Sequence, residues 1–274
     1  MRALRTSGTE SLASKRNGAS SEFIRRLKFD MVEKKASVSP QYLLSINGPL
    51  LFTAPHSGRV YRGGEEYKEK RRIHLREKYT AVLAMRFARE VSGSYCVWSH
   101  THKLNETDQD PNYLLAGREQ ISPFHLALHA WAGCHAGPLF HVDIHGKMDR
   151  KDNYELDLGV ICMYHHWTEP ADMRFAMAIT ERLTEGFNKV LATIPKYKEY
   201  KAICNNDPVL HGLWGRDLRT MTEQAAELRI PTIQLEIPLK MRAHLFGNEA
   251  FSKAFLAVIT ETYKDVISPM WATK

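Results

Sequence analysis

"FHVDIHGKMD", from Phe140 to Asp149, is an apolar run that stops on a histidine and a glycine. So does "TAPHSGRV", from Thr53 to Val60, which reaches His56 far upstream. Alternation along an extended chain places Asp143 and His145 on one face of a strand, with His141 on that face further from the strand end. Packing and turn chemistry would account for most histidines taken singly, and this chain has 13. The competing reading is that His56 and His145 converge on a metal ion.

The neighbouring segments give these two stretches an architecture. "YLLSINGPLLFTAP" (42–55) reads as two strands around an Asn47-Gly48 turn. Gly63-Gly64 marks a loop. The charged run "KEKRRIHLREK" (68–78) reads as a solvated helix face, and "HLREKYTAVLAMRFAREVS" (74–92) carries a helical apolar stripe. "SYCVWSHT" is a short strand, and "LNETDQDPNYLLAGREQ" a polar loop with Asp110-Pro111 as its turn signal. "SPFHLALHAWAG" opens with an N-capping serine and a proline at the first helical position. The segments "LFHVDIH", "LDLGVICMYH" and "TIQLEIP" read as strands. Helices are expected from near Glu169, over "RTMTEQAAELRIP", and over "EAFSKAFLAVITETYKDVIS".

Strands alternating with helices predict an α/β protein, a three-layer sandwich with a mixed, largely parallel central sheet. In open sheets of that kind, ligands bind beyond the carboxyl ends of strands. His56, His145 and Glu236 all fall at or near such ends. The expected organisation is a disordered basic segment over 1–20 and a single α/β domain over 21–274.

Composition restricts the function classes. The 274 residues are 43% hydrophobic, 25% charged and 10% aromatic, ordinary for a globular chain. No apolar stretch approaches the roughly 18 residues a membrane helix needs. The net charge of +7 is compatible with anionic partners. Interleaved Glu69 and Glu77, and the lack of aromatic stacking residues, argue against nucleic acid. Cys96, Cys134, Cys162 and Cys204 form no CxxC pair, which points away from a cysteine zinc site and toward reduced thiols of an intracellular, cytoplasmic protein. The first 20 residues are rich in Ser, Arg and Lys with only Glu10 acidic, a basic tail that also has the character of a mitochondrial transit peptide.

Glu236 is a lone carboxylate in "IQLEIPL". A glutamate in an apolar strand is costly to bury unless it is paired or functional. Catalytic zinc typically takes three protein ligands and leaves a position for water, and a nearby carboxylate serves as base. His56 and His145 with one carboxylate would complete such a set, and Glu236 is the candidate base.

The ordered motifs "APHSG", "DPNYL", "VDIHG" and "QLEI" resemble the N-formylglutamate amidohydrolase superfamily, whose fold is similar to that of zinc carboxypeptidases and aspartoacylase. The resemblance runs over residues 45 to 240. It implies that His56 and His145 are metal ligands and Glu236 the general base. For the third ligand it implies Glu77, with the Glu65/Glu66 pair as the alternative. Apart from the resemblance, Asp143, on the same strand face as His145, reads either as the group that orients that histidine or as a buried cap of a neighbouring loop. The family's Asn-Arg pair is missing from "NETDQDPNYLL", so Arg59, Arg216 and Arg242 are the candidates for gripping a substrate carboxylate.

The expected function is a Zn2+-dependent amidohydrolase acting on the C–N bond of a small N-acyl amino acid or peptide-like substrate. Imidazole and carboxylate ligands also suit manganese or iron. The rival expectation is a non-catalytic protein of the same fold whose basic surface holds an anionic or nucleic-acid partner.

Overall fold

A computed structural model describes residues 42–64, 69–98, 110–115, 117, 119–120, 122–149, 154–204, 212 and 218–272. The expected basic segment at 1–20 lies outside them, as do Glu65, Glu66 and Arg216. In chain order the elements are β1 (Tyr42–Ser45), β2 (Leu50–Ala54), β3 (Val60–Gly64), β4 (Glu69–His74), α1 (Thr80–Glu90), β5 (Ser94–Trp98), β6 (Tyr113–Leu115), α2 (Pro123–Cys134), β7 (Phe140–Lys147) and β8 (Glu155–Gly159). There follow α3 (Ile161–His166), α4 (Pro170–Thr193), β9 (Lys201–Cys204), β10 (Leu218–Thr220), α5 (Met221–Glu227), β11 (Thr232–Pro238), α6 (Leu239–Gly247) and α7 (Glu249–Thr262). A short π-helix at Tyr263–Ile267 leads into α8 (Ser268–Ala272).

Seven strands form the central sheet in the order β1-β5-β2-β7-β11-β8-β9. The run β5-β2-β7-β11 is parallel, β1 and β8 join it antiparallel, and β9 lies parallel to β8. Strand periodicity splits the side chains between two cores. On one face Phe52, Val142, Ile144, Ile233 and Leu235 pack with Leu83 and Phe87 of α1, Phe175, Leu183 and Phe187 of α4, and Phe255 of α7. On the other, Leu51, Cys96 and Trp98 pack with Phe124, Leu128 and Trp131 of α2 and Met221 and Ala225 of α5. Helices on both faces of one mixed, largely parallel sheet make the three-layer sandwich expected from the alternation of elements. Each fully buried Phe or Leu contributes roughly 1.5–3 kcal/mol of hydrophobic stabilisation. These two layers are therefore what hold the sheet in place.

Local chemistry accounts for several boundaries. Ser122 caps α2 by accepting from the His125 N–H at 3.4 Å, ahead of Pro123 in the first turn. Asn248 caps α7 by accepting from the Phe251 N–H at 2.9 Å. Pro170 opens α4, after Glu169 in extended backbone.

Four local expectations are corrected. β1 and β2 do not pair across Asn47-Gly48, because β5 lies between them. Gly48 serves close approach instead: a Cβ there would meet the Ser92 carbonyl oxygen at 2.3 Å. Gly63-Gly64 closes strand β3, which pairs with β4 in a separate two-stranded sheet. Within the run 68–78 the described residues 69–78 are consequently a strand and an irregular segment, not a helix, and helix α1 starts only at Thr80. β8 ends at Gly159, and "ICMYHH" turns into α3. The four cysteines are free, with Cys96 and Cys162 buried and Cys134 exposed. Among the described residues no helix is long and apolar enough to cross a membrane.

Candidate active site

The parallel strands β2, β7 and β11 end side by side, and the candidate site lies at their carboxyl ends. Register does the positioning. Glu236 stands opposite His145, and Gln234 opposite Asp143. Side chains two residues apart share a face, so His145 and Glu236 project together on the side covered by α2 and α5. His56 lies just past the end of β2. Its loop is pinned by the Ser57 hydroxyl, which lies 2.7 Å from the Trp98 carbonyl oxygen. The Glu77 N–H donates to the His56 carbonyl at 2.9 Å, which ties the segment before α1 to the same place. Glu77 therefore reaches the site from the irregular segment ahead of the helix, not from the first turn of the helix.

These residues meet. His56 Nδ1 lies 3.2 Å from His145 Nδ1 and 3.1 Å from Glu77 Oε1. His145 Nδ1 is 3.7 Å from Glu77 Oε2 and 4.0 Å from Glu236 Oε1. All four side chains are buried or nearly so. Glu77 is held from two further sides. The Gly146 N–H donates to its Oε2 at 2.8 Å, and His74 Nε2 lies 3.0 Å from its Oε1.

Each facing histidine is backed by a buried aspartate. His56 Nε2 lies 2.8 Å from Asp110 Oδ1, and His145 Nε2 lies 3.0 Å from Asp143 Oδ2. A carboxylate accepts, so both Nε2 atoms are assigned as N–H donors, and in the neutral rings both Nδ1 atoms carry lone pairs. Two lone pairs and the Glu77 carboxylate then face one another, an arrangement that calls for positive charge between them, either a ring proton or a metal ion. A divalent cation takes the place of that proton, and two imidazole nitrogens with one carboxylate are a donor set that fits zinc. The aspartates occupy the outer positions that orient metal-binding imidazoles. The charge balance of the metal-free cluster agrees. Burial alone would lower the pKa of His56 and of His145, but Asp110 and Glu77 raise the first, and Asp143 and Glu77 hold the second well above its ordinary value. Burial would raise Glu77, but His56 draws it well below the usual carboxylate range. Burial, with Glu77 adding to it, pushes Glu236 up to about 7 against the pull of His145.

Arg216 lies outside the described residues; of the other two arginine candidates, the fold brings Arg242 to the cluster. The side chain is buried, and its guanidinium lies directly over Gly146, where a Cβ would meet Nη1 at 0.9 Å. Its Nε and Nη1 are buried without a hydrogen-bond partner among the described residues. Arg59 is exposed. A second group of potential ligands, His166, Glu223 and Glu227, lies between α3 and α5. There Glu227 is exposed and already pairs with Arg219 at 2.9 Å, so its charge is compensated.

Sequence reasoning did not single out Asp110, although "DPNYL" contained it: an aspartate before proline reads first as a turn. Here it does both jobs, since Asp110 Oδ1 also accepts the Asn112 N–H at 3.0 Å. His74, placed on an expected helix face, was not recognised as a neighbour of Glu77 either.

No family model and no curated protein matches the chain. Among solved structures, a bacteriophage poly-γ-glutamate hydrolase is similar over 90% of this chain and 97% of that one, with 15% identity and a TM-score of 0.40. YndL in a zinc-free apo form is similar over 86% of this chain and 95% of that one, with 15% identity and a TM-score of 0.44. Likenesses this distant carry no functional argument, which has to rest on the side chains themselves.

Proposed function

We propose that this chain is a zinc-dependent amidohydrolase, as its resemblance to the N-formylglutamate amidohydrolase superfamily implies, with residues 21–274 as its catalytic domain. It would hydrolyse a C–N amide bond in a small N-acyl amino acid or peptide-like substrate. One observation carries this reading: two histidines oriented by aspartates and a glutamate present three acceptors to one point, beside a buried glutamate on the neighbouring strand.

His56, Glu77 and His145 would hold the metal. Zinc, when bound, supplies Lewis acidity that polarises a carbonyl and makes water acidic enough to be deprotonated near neutral pH. Glu236 takes the proton of the attacking water and returns it to the departing amine nitrogen, so the carboxylate is regenerated in each turnover. The apolar strand around Glu236 and its hydrogen bond from Gln234 Nε2, 3.0 Å from Glu236 Oε1, keep that carboxylate in one orientation. Arg242 offers a fixed positive charge, and N–H groups without a partner among the described residues, to a substrate carboxylate in a water-poor site.

The test is metal content combined with a screen of N-acyl amino acids and short peptides. About one zinc per chain, with hydrolysis abolished by chelation and restored by zinc, is the expected result. A folded chain that takes up no divalent metal and hydrolyses none of these amides overturns the reading in favour of a binding protein.

A further inference from the structure

The aspartate behind His145 is itself held by a line of buried side chains that leads away from the site. The Thr53 hydroxyl on β2 donates to Asp143 Oδ1. His141 Nε2 lies 2.9 Å from that same hydroxyl oxygen, and His141 Nδ1 lies 2.8 Å from Thr232 Oγ1 on β11. Register builds the line: Thr53 stands opposite Asp143, and Thr232 opposite His141. Thr53, His141, Asp143 and Thr232 have no solvent exposure at all.

The protons in this line can be counted. A hydroxyl has one hydrogen. That of Thr53 goes to Asp143, so its oxygen accepts, and His141 Nε2 must carry the hydrogen it accepts. A neutral imidazole has one N–H, so His141 Nδ1 accepts from the Thr232 hydroxyl. Burial pushes His141 down to about 4, which keeps the ring neutral. Every donor thus points toward Asp143, from Thr232 to His141 to Thr53. Packing alone does not call for this. A leucine at 141 would fill the space, whereas buried polar groups are tolerated only when each one is satisfied.

We propose that Thr53 and His141 are positioning residues for the metal centre: together they hold Asp143 as the acceptor for His145 Nε2–H and thereby fix His145 Nδ1 as the lone-pair nitrogen that faces His56 and Glu77. This rests on the metal reading above. With Oδ1 of Asp143 occupied by Thr53, its Oδ2 is committed to His145. Loss of the Thr53 hydroxyl frees the carboxylate to turn and the imidazole to change tautomer.

The experiment uses the full chain and zinc alone as probe. Zinc affinity is measured by chelator competition for wild type, Thr53→Val and Thr53→Ser at matched folded fraction. The histidine tautomers of the zinc-free proteins are read from 15N chemical shifts at a pH high enough for the 15N shifts to show neutral imidazoles. Outer partners of metal-binding histidines are typically worth about 10- to 100-fold in affinity, so Thr53→Val should lose at least about 10-fold. It should also mix the His145 tautomers, while Thr53→Ser stays close to wild type in both. Should Thr53→Val fold poorly, the double variant Thr53→Val/His141→Leu leaves no unpaired imidazole N–H and carries the same test. A folded variant with wild-type zinc affinity and an unchanged His145 tautomer overturns the proposal. Were wild type to bind no zinc, the metal reading would fall by itself, and the tautomer comparison would still decide whether Thr53 controls His145.

Discussion

His56 Nδ1 and His145 Nδ1 face each other at 3.2 Å, although 89 residues separate them in the chain. Two ligands about 2.0–2.1 Å from one tetrahedral ion lie roughly 3.3 Å apart, so the spacing is that of a shared metal. With the aspartates on the far nitrogens, two neutral rings would have no hydrogen between them, so the pair is held together either by a proton on one ring or by a metal ion. Glu77 Oε2 and Glu236 Oε1 lie 3.7 Å and 4.0 Å from the same His145 nitrogen, which is why they are proposed as third ligand and base.

Glu77→Gln is expected to weaken zinc binding by more than the roughly 10- to 100-fold that outer partners are worth, because it removes a direct ligand. Glu65→Gln and Glu66→Gln should leave affinity unchanged. Calorimetric zinc titration of the three variants checks this, and a loss in either of the latter two with none in Glu77→Gln reverses the assignment.

Glu236→Gln should keep its zinc and its melting temperature and lose at least about 100-fold in turnover, the lower end of what general acid–base catalysis contributes. Glu236 lies 4.0 Å from His145 Nδ1, close enough to serve water at the metal without belonging to the tightest part of the cluster. A zinc-loaded Glu236→Gln enzyme with near-normal turnover takes Glu236 out of the mechanism.

Gly146→Ala should displace the Arg242 guanidinium, since the added methyl would occupy the position of Nη1. The Gly146 N–H to Glu77 is a backbone bond and survives the substitution. The expected signature is a raised KM for substrates bearing a carboxylate with zinc content unchanged, and Arg242→Met should show the same. Steady-state kinetics on a carboxylate substrate and its amide counterpart separate the cases; equal KM changes for both would count against a carboxylate clamp.

Glu223 gives a pH prediction away from the site. Burial pushes its carboxyl up to about 7 from an ordinary 4.5. The folded state therefore holds this proton more tightly than the unfolded chain, and the associated stability is full below about pH 4.5 and lost as pH rises through about 7. Glu223→Gln cannot ionise and escapes that loss. Relative to wild type it should gain about 1–2 kcal/mol between pH 5 and pH 8, allowing for partial solvent access. Denaturant melts at the two pH values, in chelator, measure it; a difference that does not change with pH refutes the assignment.

The amino-acid sequence by itself determined the parts whose signals are local. Apolar runs reaching His145 and ending just short of His56, the Ser122-Pro123 helix start and the lone Glu236 in "IQLEIP" are properties of a few adjacent residues, and periodicity exposes them. Tertiary structure alone decided the pairings. Nothing local says that β5 enters between β1 and β2, that the charged run around Lys70 pairs with β3 as a strand, or that Glu236 stands opposite His145 and not one residue away, where it would face the other core. The choice of Glu77, the recruitment of Asp110 and the placing of Arg242 over Gly146 depend on the same non-local register. The physical reason is that strand pairing and side-chain convergence are set by which long-range packing buries the most apolar surface while leaving each buried polar group a partner. That balance exists only once the whole sheet has formed.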